Sequence, residues 1–188
     1  MFKSILKPRM RVVENVTYEL RDSNGNKKQL FKMNTLGKAV KALGFTVPAI
    51  TLFGAMVDKL TISNLVTNAG FAGVASRING AGAEAVFNYI AIGIGTTAAN
   101  VADTALESEI TTDGGARAVA TASRVTTDVA NDTAQLVVTF NFSGPFAITE
   151  SGVLNAAAAG TLLARQVFSA INVAANDSLQ VTWKFDCD

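Results

Sequence analysis

The second half of the chain is a series of short apolar segments separated by turn residues, and this pattern limits the possible folds. Alternation is clearest over residues 134–142, where Leu136, Val138, Phe140 and Phe142 would share one face of a strand. Turn-forming residues such as Asn176-Asp177 lie between the segments. The spacing predicts a mainly β fold, an antiparallel, jelly-roll-like β-sandwich with short helices and an N-terminal extension. The other predicted strands cover residues 86–94, 117–127, 146–154, 161–171 and 179–185.

The first third of the chain has a different character, and we predict two parts. Residues 1–62 are expected to form an N-terminal attachment region with a β-hairpin, and residues 63–188 the β-sandwich domain. The hairpin is predicted over residues 12–33, with Asn24-Gly25 in a type I′ turn. Short helices are predicted at residues 36–43 and 63–79, the second one capped by Ser63-Asn64.

Residues 43–57 are the most apolar segment of the chain. They are too short to span a bilayer, which needs about 20 residues. Two interpretations stay open: the segment packs on its own sandwich, or it is an assembly surface that docks on a neighbouring subunit. We favour the second, because the segment lies outside the predicted β-region. The predicted interface residues are Leu43, Phe45, Val47, Ile50, Leu52, Phe53, Met56 and Val57.

Charge is low and unevenly distributed. Only 16% of residues are charged and the net charge is +1, so neither a nucleic acid nor a membrane is expected as a partner. More than half of the 16 Lys and Arg residues fall in residues 1–41, including Lys3, Lys7, Arg9 and Arg11. This basic arm either grips an acidic neighbour or is simply solvated. A weakly charged surface favours association with other subunits, including copies of the same chain.

Most catalytic chemistry is excluded by residue type. The chain has no histidine and a single cysteine, Cys187, so it has no Ser–His or Cys–His pair and no zinc site built on His or on several thiolates. The Gly93-Ile94-Gly95 run resembles the start of a dinucleotide fingerprint, but no long helix is predicted after it. We therefore expect no catalytic, cofactor or metal site, and no enzyme.

Three charged residues lie inside predicted strands. Glu150, Arg165 and Arg117 each interrupt an apolar stretch. A buried charge is tolerated only when it is paired, so we predict a cross-strand ion pair between Glu150 and either Arg165 or Arg117. Glu107 is expected instead to form a capping box with Thr104 at a short helical turn.

Several phrases in residues 60–188, in this order and spacing, resemble a family of small structural proteins of tailed bacteriophages, described as tail-fibre-like or virion proteins. The resemblance implies a β-rich particle component without catalysis, assembled in the host cytoplasm into a virion, with other virion proteins and its own copies as partners. Capsid decoration and a tail, collar or fibre-base subunit both stay open. The alternative is a receptor- or carbohydrate-binding module at a fibre or tail tip. The phrases are Asn64-Leu-Val-Thr-Asn-Ala-Gly70, Tyr89-Ile-Ala-Ile-Gly-Ile-Gly-Thr-Thr97, Asp103-Thr-Ala-Leu-Glu-Ser-Glu109 with Arg117, Ile148-Thr-Glu-Ser-Gly-Val-Leu154, Gly160-Thr-Leu-Leu-Ala-Arg165 with Phe168, and Asp177-Ser-Leu-Gln-Val-Thr-Trp183.

Overall fold

A computed structural model describes residues 12–187, with the backbone alone for residues 12–14. The described chain contains two helices, α1 (Thr35–Ala42) and α2 (Asn68–Asn79). Strands are much more abundant than helices, and all strand pairs among the described residues are antiparallel. Both observations confirm the predicted mainly β fold. The strands are β1 (Val12–Arg21), β2 (Lys27–Lys28), β3 (Leu30–Met33), β4 (Gly54–Val57), β5 (Leu60–Ser63), β6 (Leu65–Val66), β7 (Tyr89–Gly93), β8 (Ala118–Val119), β9 (Thr121–Val125), β10 (Thr133–Asn141), β11 (Phe146–Leu154), β12 (Leu162–Val173) and β13 (Ser178–Cys187).

Two sheets form the sandwich. The first has the order β2-β1-β13-β10-β9, with β5 on the free side of β1 beside β2. The second has the order β6-β12-β11-β7-β8. A separate two-stranded sheet pairs β3 with β4.

The main core lies between the two sheets. Alternate residues of β1, β10 and β13 point into it, as the sequence pattern predicts for a sheet with one buried face, whereas β11 is buried on both faces. Trp183 and Val181 of β13 are fully buried there, opposite Ile148 of the second sheet. The Tyr18 hydroxyl joins the sheets through a 2.6 Å hydrogen bond with Ser151 Oγ.

The predicted division at residue 62 does not match the structure. β1 pairs with β13 along its whole length, from Val12 opposite Cys187 to Arg21 opposite Ser178. β5 continues the same sheet. The reason is the alternation in β1, whose Val16, Tyr18 and Leu20 are buried in the sandwich core. Only residues 30–57, with β3, α1 and β4, form an added element, which we call the side unit. The basic residues at positions 3, 7, 9 and 11 lie outside the described residues.

The predicted hairpin exists in a shorter form. β1 pairs with β2, not with β3, which instead pairs with β4. Gly25 has a positive φ of 82°, whereas Asn24 does not, so the turn is not type I′. The Asp22 carboxylate holds it by accepting hydrogen bonds of 2.9 Å from the backbone N–H groups of Asn24 and Asn26.

Both predicted helices are present, but α2 begins later than expected. Ser63 lies in β5, and Thr67 is the N-cap. The Thr67 hydroxyl accepts a hydrogen bond from Gly70 N and donates one to Leu162 O, which fixes the start of α2 on the edge of β12. Residues 104–107 are not helical, so the predicted capping box is absent. The Glu107 carboxylate bonds to Thr97 instead.

Candidate functional site

The connection between β7 and β8 covers the face of the second sheet that points away from the main core. Residues 94–110 of this connection form what we call the outer segment. Its Leu106 packs with Ala91, Leu154 and Leu162 in a small second core. Glu150 of β11 lies beneath this segment and is fully buried.

The Glu150 carboxylate is the anchor of the outer segment. Its Oε1 accepts hydrogen bonds from Ser108 N at 2.7 Å and from Gly95 N at 3.0 Å. Its Oε2 accepts one from Glu107 N at 3.1 Å and one from Arg165 Nε at 2.8 Å. Both oxygens are therefore engaged by donors from both ends of the outer segment and from the neighbouring strand.

Arg165 balances this buried charge and extends the network. Its guanidinium is 3% exposed and donates from Nη1 to Asp103 Oδ2 at 2.8 Å. Nη2 lies 2.8 Å from Glu150 Oε2 and 3.6 Å from Glu107, where it contributes charge rather than an aligned hydrogen bond. Burial alone would lower the pKa of Arg165, but the carboxylates of Asp103 and Glu150 raise it above the usual value. We call Glu150, Arg165, Asp103 and Glu107 the Glu150 cluster.

The Gly93-Ile94-Gly95 run has a structural explanation in this cluster. A Cβ added at either glycine would lie about 2.5 Å from Glu150 Oε1, closer than real atoms approach. The glycines leave room for the carboxylate, and Gly95 also contributes a backbone N–H. The motif that resembles a nucleotide fingerprint is thus part of a binding site for the protein's own glutamate.

Of the two arginines predicted as alternative partners of Glu150, the structure places Arg165 beside it. Glu150 and Arg165 form the pair, whereas Arg117 lies elsewhere and binds Glu109 through two hydrogen bonds of 2.9 and 2.6 Å. Its Nη1 also donates to the carbonyls of Ala156 and Ala159, so Arg117 ties the start of β8 to the β11–β12 turn. Asp103 and Glu107 were not predicted as cluster members. The sequence feature that comes closest to indicating them is the pair Gly93 and Gly95, which leaves room for Glu150 beside Glu107.

The charged groups of the Glu150 cluster are engaged by neighbouring donors of the same chain. Hydrogen bonds from the backbone N–H and hydroxyl of Thr97 lower the pKa of Glu107 below its usual value. The described residues contain no group of three or more side chains suited to hold a metal ion. Every carboxylate of the cluster is an acceptor for a neighbouring donor, which is the arrangement expected of a structural clamp.

A second candidate site is the apolar surface of the side unit. Leu43, Phe45 and Leu52 are 74%, 63% and 59% exposed. Ile50, Met56 and Leu36 are each about half exposed, and of these only Leu36 was not predicted. We call these six residues the assembly surface. Val47, Phe53 and Val57, which were also predicted at the interface, are partly covered. Single exposed apolar residues are common on proteins, but six within 21 positions mark a surface suited to contact.

The side unit holds this surface in a defined shape. Asn34 N donates to Phe53 O at 2.8 Å, and the Asn34 side chain donates to Leu52 O at 2.9 Å. The same side chain accepts from Gly37 N and caps α1. The apolar connection between α1 and β4 is therefore tied to the start of α1 while its large side chains face outward.

A cleft of about 920 Å³ lies between the side unit and the sandwich. Its lining comes from β3 and α1 of the side unit, from β5, and from residues 166–169 of β12. Thr96, Ala98 and Ala99 of the outer segment also line it. The side unit and the outer segment both contribute to the lining, but no residue of the assembly surface or of the Glu150 cluster does so.

Comparisons of the chain with protein-family models, with curated proteins and with solved structures give no match. Among the described residues, no helix has the length and apolar character needed to cross a membrane.

Proposed function

We propose that the protein is a non-enzymatic structural subunit of a tailed-phage virion that joins neighbouring subunits through the assembly surface. The observation that carries the proposal is the exposure of Leu43, Phe45 and Leu52 on a unit whose backbone is held in place. The resemblance of residues 60–188 to phage structural proteins supports the particle as the setting. Capsid decoration and a tail, collar or fibre-base position are both compatible with this surface.

The size of the surface sets the strength of the contact. Fully burying one large apolar side chain is worth roughly 1.5–3 kcal/mol, so burying the exposed half of six contributes about 7 kcal/mol. Association costs about 4–15 kcal/mol in lost freedom of movement. The surface alone therefore supports a weak contact, and stable assembly requires many copies or a second contact on each subunit.

The alternative, a receptor- or carbohydrate-binding module at a tip, has less support. Such sites commonly stack sugars on exposed Trp or Tyr rings, whereas Trp183 and Tyr18 are fully buried in the core and the exposed rings of Phe45 and Phe71 lie on different elements. We therefore retain the structural subunit as the proposal.

Substitution of the assembly surface tests the proposal. Deleting residues 1–57 is unsuitable because it removes β1 from the first sheet. Instead, the variant Leu43→Ser/Phe45→Ser/Leu52→Ser should keep the fold, and it removes the three most exposed side chains of the assembly surface. We expect it to remain folded but to be lost from purified particles and from concentration-dependent oligomers in analytical ultracentrifugation.

The matched control is Phe71→Ser/Ile78→Ser, which removes two exposed apolar side chains of α2 outside the side unit. This control should assemble like the unmodified protein. Equal assembly of the triple variant and the unmodified protein would contradict the proposal.

A further inference from the structure

The edge of β12 that faces the cleft is open. β11 pairs with β12 along its length, but on the other side β6 covers only Ala164 and Arg165. The chain crosses between the two sheets at Asn64, between β5 and β6, and leaves residues 166–169 facing the cleft. Within the described part of the chain, no strand pairs with this stretch.

The open edge carries one sign of an incomplete hydrogen-bond pattern, and the crossing between β5 and β6 carries another. Gln166 Nε2 donates to Val167 O at 2.9 Å, so a side chain occupies a backbone acceptor that a neighbouring strand would normally use. At the crossing itself, Asn64 Nδ2 and Oδ1 are buried without a hydrogen-bond partner in the described structure. Buried amides normally have partners. The Gln166 contact lies on the cleft, whereas Asn64 does not line it.

The cleft offers apolar contacts and positive charge together. Phe31, Met33 and Val167 line it with apolar side chains, whereas the ring of Phe168 is buried in the main core against Tyr18. Lys32, Lys38 and Lys41 also line it, and no carboxylate does so among the described lining residues. An occupant should therefore combine an extended backbone, alternating apolar side chains and negative charge.

The charge argues against the chain's own first residues as the occupant. Residues 1–11 contain Lys3, Lys7, Arg9 and Arg11 and no acidic residue, so they match the cleft in sign. A nucleic acid would satisfy the lysines but would leave the apolar wall and the open backbone edge unused. An acidic protein segment uses all three features.

We propose that the cleft binds an extended acidic segment of a partner protein, which adds a strand to β12 beyond Arg165 and places its carboxylates near Lys32, Lys38 and Lys41. This inference rests on the proposed assembly function, since it supplies the second contact that the assembly surface requires. The segment would replace the Gln166 side chain at Val167 O with a backbone N–H, and alternate side chains would enter the apolar part of the cleft.

Fluorescence anisotropy with a defined probe tests this binding. The probe is a labelled peptide of about six residues that alternates valine and glutamate, the length of a typical strand. We expect saturable binding at low salt, and a loss of about tenfold or more in affinity for the variant Lys38→Glu/Lys41→Glu. The control Arg77→Glu/Arg124→Glu makes the same change of net charge at exposed residues outside the cleft and should bind like the unmodified protein.

Two further probes separate the alternatives. A peptide of the same sequence with alternate backbone nitrogens methylated should not bind, because it cannot form the strand ladder. Equal binding of the methylated peptide would overturn strand addition, and tighter binding of a single-stranded oligothymidine would overturn an acidic protein segment as the occupant.

The assembly-surface variant Leu43→Ser/Phe45→Ser/Leu52→Ser should still bind the peptide, because none of its three changes lines the cleft. Absence of peptide binding by the unmodified protein would overturn the cleft proposal alone. If the triple variant assembles as well as the unmodified protein while both bind the peptide, the proposed function alone would be overturned.

Discussion

Replacement of the buried Arg165 by methionine should lower the stability of the protein more than the same replacement of an arginine on the protein surface. The guanidinium contacts two carboxylates at 2.8 Å, and Glu150 is fully buried beside it. Methionine fills most of the same volume but leaves Glu150 without a cation. Removing one partner of a buried ion pair costs about 3–5 kcal/mol. Glu150 keeps three backbone N–H donors, from Gly95, Glu107 and Ser108, so we expect the lower half of that range, about 3–4 kcal/mol.

Urea unfolding followed by Trp183 fluorescence measures this loss, because the indole is fully buried in the folded protein. The midpoint should fall while the m-value stays unchanged. For a chain of this length, the loss corresponds to about 6–16 °C in melting temperature. The matched control Arg124→Met changes an exposed arginine on β9 and should shift stability by less than about 0.5 kcal/mol.

A double variant separates the ion pair from the packing around it. Glu150→Leu/Arg165→Met removes both buried charges and should be more stable than Arg165→Met alone, since no unpaired buried charge remains. A loss below about 1 kcal/mol for Arg165→Met would refute the reasoning, because it would mean that Glu150 does not need this cation.

Two other predictions follow from single contacts. Gly70→Val should lower the stability by about 1–3 kcal/mol in the same urea assay, because a Cβ at Gly70 would overlap the Leu163 carbonyl and separate α2 from β12; unchanged stability would contradict this packing. Acid should destabilise the protein, because backbone N–H groups of Val129 and Thr127 hold the pKa of Asp132 well below its usual value. The stabilisation that the Asp132 carboxylate contributes is fully present above its unfolded pKa of about 4, and it is lost as the pH falls through the lower pKa of the folded state. Melting temperatures measured from pH 6 to pH 2 should fall less steeply for Asp132→Asn, and equal slopes would contradict the assignment.

The strands of the second half could be predicted closely because each carries its own local pattern. β11 occupies the predicted residues, Phe146–Leu154, and β10 differs from its predicted bounds by one residue at each end. β1 was also predicted as a strand, but its partner was not. Pairing between β1 and β13 joins residues more than 150 positions apart, and no local pattern in either strand specifies the other.

The same limit explains the candidate sites. The Glu150–Arg165 pair could be predicted because each charge interrupts an apolar strand and therefore needs a partner. Asp103, Glu107 and the backbone donors of the outer segment could not, because irregular chain has no periodicity that shows where it lies. The outward-facing residues of 43–57 could be predicted as apolar, whereas their exposure depends on how Asn34 ties the connection to α1.

The proposal that this chain is a structural subunit of a tailed-phage virion is tested most directly by quantitative mass spectrometry of purified particles. The account predicts that the chain is present in every preparation at a fixed copy number per particle, and that chemical cross-links join Lys38 or Lys41, beside the cleft, to another virion protein or a second copy. Absence of the chain from purified particles, with the protein found only free in the lysate, would contradict its role as a structural subunit.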